Sequence, residues 1–242
     1  MNCINSPTHP LIKHFVRLCS QRKYRYEQRK VIIEGEKMIR EAAEILPIRT
    51  LLTCEKALNI EANELFQVPL SIIEKISHCE HPEGMIAEID MPSNSDLSTC
   101  QTLLALDQIG DPGNMGTLIR TALAFGWKGV YLIDGCCDPY NDKALRAAKG
   151  ATFKIPIEQG SMETLKKRAK NYQALAADLN GMKAHSFKRK DAPLLLLLGN
   201  ESQGVSAEAK TFCEAITLPI QNIDSLNVSV AGGILMYLLE NQ

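Results

Sequence analysis

Five leucines in a row, Leu194 to Leu198, put the tightest limit on what this chain can fold into. A strand with one wet face alternates apolar and polar residues, and this run has no polar side to offer. As a helix it is far too short to cross a bilayer, which takes about 20 residues. It therefore reads as a strand buried on both faces, the setting of an inner strand in a parallel sheet. The neighbouring sequence agrees. From Thr102 onward, Leu103 to Leu106, Val130 to Ile133, Phe153 to Ile157 and Gln173 to Ala176 read as further strands. Asn114 to Phe125 (closed by Gly126), Asn141 to Ala148, Met162 to Ala169 and Ala207 to Phe212 read as helices. Strands alternating with helices predict an α/β fold with its parallel sheet covered on both faces.

The last segment, ITLPIQNIDSLNVSVAGGILMY from Ile216 to Tyr237, reads as strand, loop and helix, with Ser225 or Asn227 at the helix start. A helix cap explains either residue by itself, because a Ser or Asn side-chain oxygen satisfies a free backbone N–H.

The N-terminal part is shorter in its elements. Val31 to Ile33, Arg49 to Thr53 and Met85 to Ile89 read as strands. Glu36 to Leu46 and Glu55 to Leu65 read as helices. The run Asp90 to Asp96, DMPSNSD, has linker composition. The expected division is a small α/β domain over 1–92 and a larger parallel-sheet domain over 99–242.

Overall net charge is −1, which announces no nucleic-acid partner. The distribution is uneven, however. Lys13, Arg17, Arg22, Lys23, Arg25, Arg29 and Lys30 stand against one acid, Glu27, with Tyr24 and Tyr26 between them. Such a strip is either a solvated helix face or a phosphate-backbone contact with rings for base stacking. His78-Cys79-Glu80-His81 has metal-ligand residue types but no second ligand pair at zinc-like spacing, so it reads as a polar loop and no metal is expected. MNCINSPTHP carries no apolar signal region, and the eight cysteines form no CxxC pair. Free thiols in the cytoplasm, away from any membrane, are the expectation.

Three loops follow strand ends, where ligands sit in parallel sheets. The first is DQIGDPGNMG, Asp107 to Gly116, with Arg120 on the helix beyond it. The second is GNESQG, Gly199 to Gly204, after the five leucines. The third lies between Pro219 and Asn227. The glycines at 110, 113 and 116 do not make a dinucleotide fingerprint, and no loop is a phosphate-binding Walker motif. No histidine is placed for a hydrolytic triad.

Together these segments resemble the three motifs of the SpoU (TrmH) branch of the SPOUT RNA methyltransferases. DPGNMGTLIRTALAFG is similar to motif 1, LLLLGNESQGVS to motif 2 and LPIQNIDSLNVSVAGGIL to motif 3. VIIEGEKMIREA and HPEGMIAEI resemble, more weakly, the RNA-binding domain often fused in front. The resemblance implies a trefoil knot in the C-terminal part of the sheet, against the usual rule for chains. It also implies S-adenosylmethionine as methyl donor, a homodimer, and methylation of a ribose 2′-hydroxyl in rRNA or tRNA.

By that resemblance Arg120 is the catalytic arginine. A guanidinium keeps its proton, so phosphate binding and alkoxide stabilisation suit it better than a base role. Asn114 fixes the first loop or the ribose, and Glu201 orients Asn114 or Arg120. Ser225 and Asn227 position the hydroxyl, and Asn227 also holds the cofactor loop. Leu198, Gly199, Asn200, Ile220 and Leu226 receive the cofactor, while Lys13 to Lys30 meet RNA. The family usually has a glycine shortly after the motif 3 proline, and none stands here. Asn222 is the residue best able to take the left-handed conformation in its place. Two alternatives stay open: a Rossmann-type NAD-dependent oxidoreductase, with Asp134 as ribose acid, and a non-catalytic RNA-binding or ribosome-assembly protein.

Overall fold

Residues 2–55, 59–200 and 202–240 are described by the computed structural model. They divide into two compact units, one of residues 1–93 with 140–145, the other of 94–139 with 146–242.

The first unit contains β1 (Asn2–Cys3), α1 (Pro10–Ser20), α2 (Arg22–Gln28), β2 (Lys30–Glu34), α3 (Glu36–Ala43), β3 (Ile48–Thr53), β4 (Glu64–Gln67), α4 (Leu70–Ile76) and β5 (Met85–Asp90). The sheet order is β1-β4-β3-β5-β2. The first three strands run parallel, and β5 lies antiparallel to both β3 and β2. Ile12, Phe15 and Leu18 of α1 and Ile72, Ile73 and Ile76 of α4 bury their side chains against Ile32, Leu52 and Ile86 of the sheet. The helix expected over Glu55 to Leu65 is not formed: residues 59–63 are irregular, Glu64 opens β4, and 56–58 lie outside the described residues. Asn59 and Asn63 are weak helix formers. Pairing Leu65 and Phe66 beside Leu51 and Leu52 supplies the backbone partners instead.

The second unit holds β6 (Thr102–Leu106), α5 (Pro112–Ala124), β7 (Gly129–Ile133), the last turn of α6 (Asp142–Ala148), β8 (Ile157–Gly160), α7 (Met162–Ala169), β9 (Gln173–Lys183), β10 (Leu194–Leu198), β11 (Glu214–Thr217) and α8 (Val228–Glu240). Its sheet is parallel throughout, in the order β11-β9-β10-β6-β7-β8. The leucine run is β10, flanked by β6 and β9, and every leucine in it is buried. Two expectations are corrected. Residues 151–153 form a 3₁₀ turn and the strand starts only at Ile157, because Pro156 has no N–H to donate and offers just its carbonyl, to Val130. Ala207 to Phe212 is reduced to a 3₁₀ turn at Ala209–Thr211, six residues being too few to sustain a helix. Strand β9 also runs on past Ala176. Among the described residues, no helix is long and apolar enough to cross a membrane.

Candidate active site

At the carboxyl end of β10 the chain turns back past itself. A Cβ on Gly199 would fall 2.2–2.3 Å from the backbone of Gly204 and Val205, so only glycine permits the crossing. Asn200 closes this second loop. Its Oδ1 accepts the Ser202 N–H at 2.9 Å, and its Nδ2 donates to the Gln108 carbonyl at 2.9 Å in the first loop. Asp107, buried at the end of β6, accepts the Ser206 N–H through Oδ2 at 3.0 Å. Its own N–H reaches the Leu198 carbonyl at 2.9 Å. The first loop is therefore latched at three points to residues 198–206, which carry the second.

The third loop is tied to the first by one side-chain pair. Asn227 Nδ2 donates to Asn114 Oδ1 at 3.0 Å. The same Asn227 caps α8: its Oδ1 accepts the Ser229 N–H at 2.9 Å and the Ser229 hydroxyl at 2.6 Å. The cap and the bridge share one amide. Asn114 is not the cap of α5. That role falls to Asp111, whose Oδ1 accepts the Asn114 N–H at 2.9 Å. Helix α8 lies close to the site because Gly232 has no side chain; a Cβ there would meet Leu198 Cδ1 at 2.5 Å and Leu118 Cδ2 at 2.6 Å. Asn222, in the loop without glycine, has φ 65°, the left-handed conformation expected of it.

Beside these loops lies a cavity of about 470 Å³. Leu198, Gly199, Asn200, Ile220 and Leu226, five of the six candidate cofactor residues, line it together with Ser225, while Asn227 sits next to the lining without joining it. Asn114 and Arg120 do not line it either. Arg120 is exposed on α5 and makes no hydrogen bond or ion pair among the described residues. Glu201 lies outside the described residues.

The sequence reading missed one wall. Ala177, Asp178, Leu179 and Asn180 line the cavity from the middle of β9, and Lys210 faces them. The Lys210 ammonium, 2.6 Å from Asp178, and then the Asn180 N–H hold the Asp178 carboxyl below its usual range. Asp-Leu-Asn-Gly after an apolar strand was the available signal, a fourth strand-end turn. Behind the first loop, burial pushes the Cys136 thiol up to about 11 and the Cys137 thiol up to about 12, so neither is a thiolate at neutral pH.

The basic strip is less uniform than its sequence. Lys13, Arg17, Arg22, Lys23 and Arg29 are exposed, with the Arg17 guanidinium 3.7 Å from the centre of the Tyr24 ring. Arg25 does not belong to the strip. It is 3% exposed and donates from Nη1 to the Leu18 and Cys19 carbonyls at 2.7 and 2.9 Å, closing the end of α1. Lys30 is committed to Asp90 at 2.6 Å.

Residues 101–237, more than half of the chain, match the SpoU rRNA Methylase family. The chain belongs to the SpoU rRNA methylase family. Residues 9–87 match the MRM3-like substrate binding domain. A Bacillus subtilis relative of this SpoU chain, 23S rRNA (guanosine(2553)-2′-O)-methyltransferase RlmP, is 29% identical over 246 residues, covering 98% of each chain. The mitochondrial rRNA methyltransferase 3 of Mus musculus is 25% identical over 91% of this chain and 69% of its own. The fold is that of the AdoMet-bound rRNA methyltransferase from Sinorhizobium meliloti, with a TM-score of 0.89, 28% identity, and coverage of 99% of this chain and 97% of that one. Neither the oxidoreductase nor the non-catalytic reading gains support from these matches.

Proposed function

We propose that this SpoU-family chain catalyses S-adenosylmethionine-dependent methylation of a ribose 2′-hydroxyl in ribosomal RNA. The observation that carries the reading is the junction of the Asn114–Asn227 bridge with a cavity walled by Leu198, Gly199, Asn200, Ile220 and Leu226. The cavity's size falls in the usual range of about 300–1,000 Å³ for small-molecule sites. Its leucine and isoleucine walls suit a flat base, and the polar groups at Asn180, Asn200 and Ser225 suit a ribose and an amino-acid tail. When bound there, the cofactor supplies an electrophilic methyl group.

The chain's own residues do the rest. Asn114, Ser225 and Asn227 hold the 2′-hydroxyl in line. Arg120 grips the neighbouring phosphate and stabilises charge developing on the oxygen. Glu201 keeps the orienting role that the family resemblance gives it. The N-terminal domain, 1–92, carries RNA on Lys13, Arg17, Arg22, Lys23 and Arg29, and residues 99–242 form the catalytic domain. The relatives named as rRNA methyltransferases support rRNA over tRNA.

The working form is a homodimer. Val230, Ile234 and Tyr237 repeat along the outer face of α8 at 50%, 41% and 54% exposure, an apolar stripe that a second copy would cover. Light scattering of wild type beside Ile234→Glu tests this, and a wild-type monomer would end it. The C-terminal segment threads a trefoil knot. The strand order β11-β9-β10 and the glycine-only crossing at Gly199 support that path. Eight free thiols support a reducing cytoplasm.

The deciding experiment is transfer of labelled methyl from S-adenosylmethionine to rRNA and tRNA separately, with Arg120→Ala and Asn227→Ala as controls. Label in rRNA that resists alkaline cleavage, and is lost in both variants, is the expected result. Cofactor binding with no label in either RNA would sink the proposal.

A further inference from the structure

Another set of side chains converges in the first unit, and methyl transfer has no use for it. Cys19 lies near the end of α1, His78 follows α4, and Asp142 begins α6. His78 Nδ1 is 3.8 Å from Cys19 Sγ and 3.1 Å from Asp142 Oδ2, and the three atoms lie within 4.8 Å of one another. The partners are not those suggested by the local run of His78, Cys79 and His81. Cys79 Sγ instead turns to Glu34 Oε2 at 3.6 Å.

The two contacts of His78 Nδ1 call for different forms of the ring. An imidazole nitrogen carries either a hydrogen or a lone pair. With a lone pair it accepts from the thiol but faces carboxylate oxygens that repel it. With a hydrogen it serves Asp142 and no longer accepts from Cys19. A cation set among the three atoms takes a lone pair from each of them. Tetrahedral zinc, with bonds of about 2.3 Å to sulfur and about 2.0–2.2 Å to nitrogen and oxygen, holds sulfur and nitrogen about 3.6 Å apart and nitrogen and oxygen about 3.4 Å apart. The separations here, 3.8 and 3.1 Å, fall within about 0.3 Å of those.

We propose that Cys19, His78 and Asp142 form a three-ligand site for a zinc-type divalent cation. A thiolate and a carboxylate neutralise its charge, and the sulfur and imidazole select zinc over magnesium or calcium. The His78 side chain is 51% exposed, which leaves water access for a fourth ligand. The bound ion ties the end of α1 to the loop after α4 and to the segment that opens α6. Its role is structural, in the unit that carries the basic strip.

The test uses the full chain, stripped with a chelator and titrated with Co²⁺. One cobalt per chain is expected, with a thiolate-to-cobalt charge-transfer band and the visible bands of four-coordinate cobalt, all displaced by Zn²⁺. Cys19→Ser removes the charge-transfer band, and His78→Gln and Asp142→Asn each weaken binding at least tenfold. Cys19 is buried, so the two partly exposed positions carry the test if its variant does not fold. No stoichiometric binding, no charge-transfer band, or unchanged affinity in His78→Gln overturns the site and leaves His78 simply paired with Asp142. None of these readouts depends on methyl transfer.

Discussion

Asn227 caps a helix with one end of its amide and bridges two loops with the other, so substitution can separate the two jobs. Asn227→Ala removes both. Loss of the cap costs about 1 kcal/mol, and loss of the exposed bridge to Asn114 about 0.5–1 kcal/mol. For a chain of this length 1 kcal/mol moves Tm by about 2–4 °C, so a drop of about 3–8 °C is expected. Asn227→Ser keeps an oxygen for the Ser229 N–H but is too short to span the 3.0 Å bridge to Asn114. Its Tm should fall by less than about 2 °C. Methyl transfer separates the variants differently. If the bridge sets the alignment of the hydroxyl, both lose about tenfold or more in kcat, each 1.4 kcal/mol of lost transition-state binding being a factor of ten. Asn114→Ala combined with Asn227→Ser should cost less than the two single losses added, because they break one bond. The assays are thermal melts and labelled-methyl transfer at saturating RNA. Full kcat in Asn227→Ser would reduce the residue to a cap, and a melt as low as that of the alanine variant would refute the cap account.

Gly232→Ala drives a methyl group into Leu198 and Leu118. It should cost about 1–3 kcal/mol and weaken S-adenosylmethionine binding, seen by calorimetry, because Leu198 lines the cavity. Neutralising Arg22 and Lys23 should weaken RNA binding and lower its salt slope by about 0.7 for each phosphate no longer neutralised, with Tm unchanged. Arg25→Ala should instead lower Tm, because the Leu18 and Cys19 carbonyls lose a charged donor, at about 1.5–3 kcal/mol. Arg49 and then Lys30 hold the Asp90 carboxyl below its ordinary range. Its charge therefore contributes stability that is whole above the unfolded value of about 3.9 and is lost as pH falls through the lower folded value. Asp90→Asn should flatten the acid limb of the Tm–pH curve below about pH 4 and lower Tm at pH 7.

Much of the second unit was legible because burial on both faces leaves an unmistakable sequence. Leu194–Leu198 and Leu103–Leu106 have no polar side, and Gly126 marks the helix end between β6 and β7. The strand order was not legible, since periodicity says that a strand is buried but not beside what. The segment from Phe153 to Ile157 misled because its apolar residues fill a turn whose proline delays the strand. Of the site, the residues on three loops could be named, but not their hydrogen bonds. Asn227 reads equally well as cap or bridge until Asn114, 113 residues earlier, is seen 3.0 Å away. Arg25 looks like its neighbours on the basic strip, and only its rotation into the turn between α1 and α2 takes it out of reach of a phosphate. Asp178 escaped notice because β9 runs on past the residue where its apolar pattern stops.

The arrangement also constrains how the hydroxyl loses its proton. Among the described residues, no histidine lines the cavity. Asp111 is occupied in capping α5, and Asp107 is buried with Oδ2 on the Ser206 N–H. Of the carboxylates on the described lining, Asp178 is paired with Lys210 and Asp224 stands exposed. A guanidinium is a poor base, and Arg120 makes no hydrogen bond or ion pair among the described residues. On the function proposed above, the charge of the guanidinium lowers the cost of the alkoxide while the proton leaves to solvent. Single-turnover transfer should rise with pH through the neutral range, without the inflection near about 6.5 that a histidine base would impose. Arg120→Lys should keep that slope, since the charge remains, yet lose about 10–100-fold in rate because the two-pronged grip on phosphate is gone. A plateau in wild type that vanishes in Asp224→Asn would instead make the carboxylate the base and reduce Arg120 to an anchor.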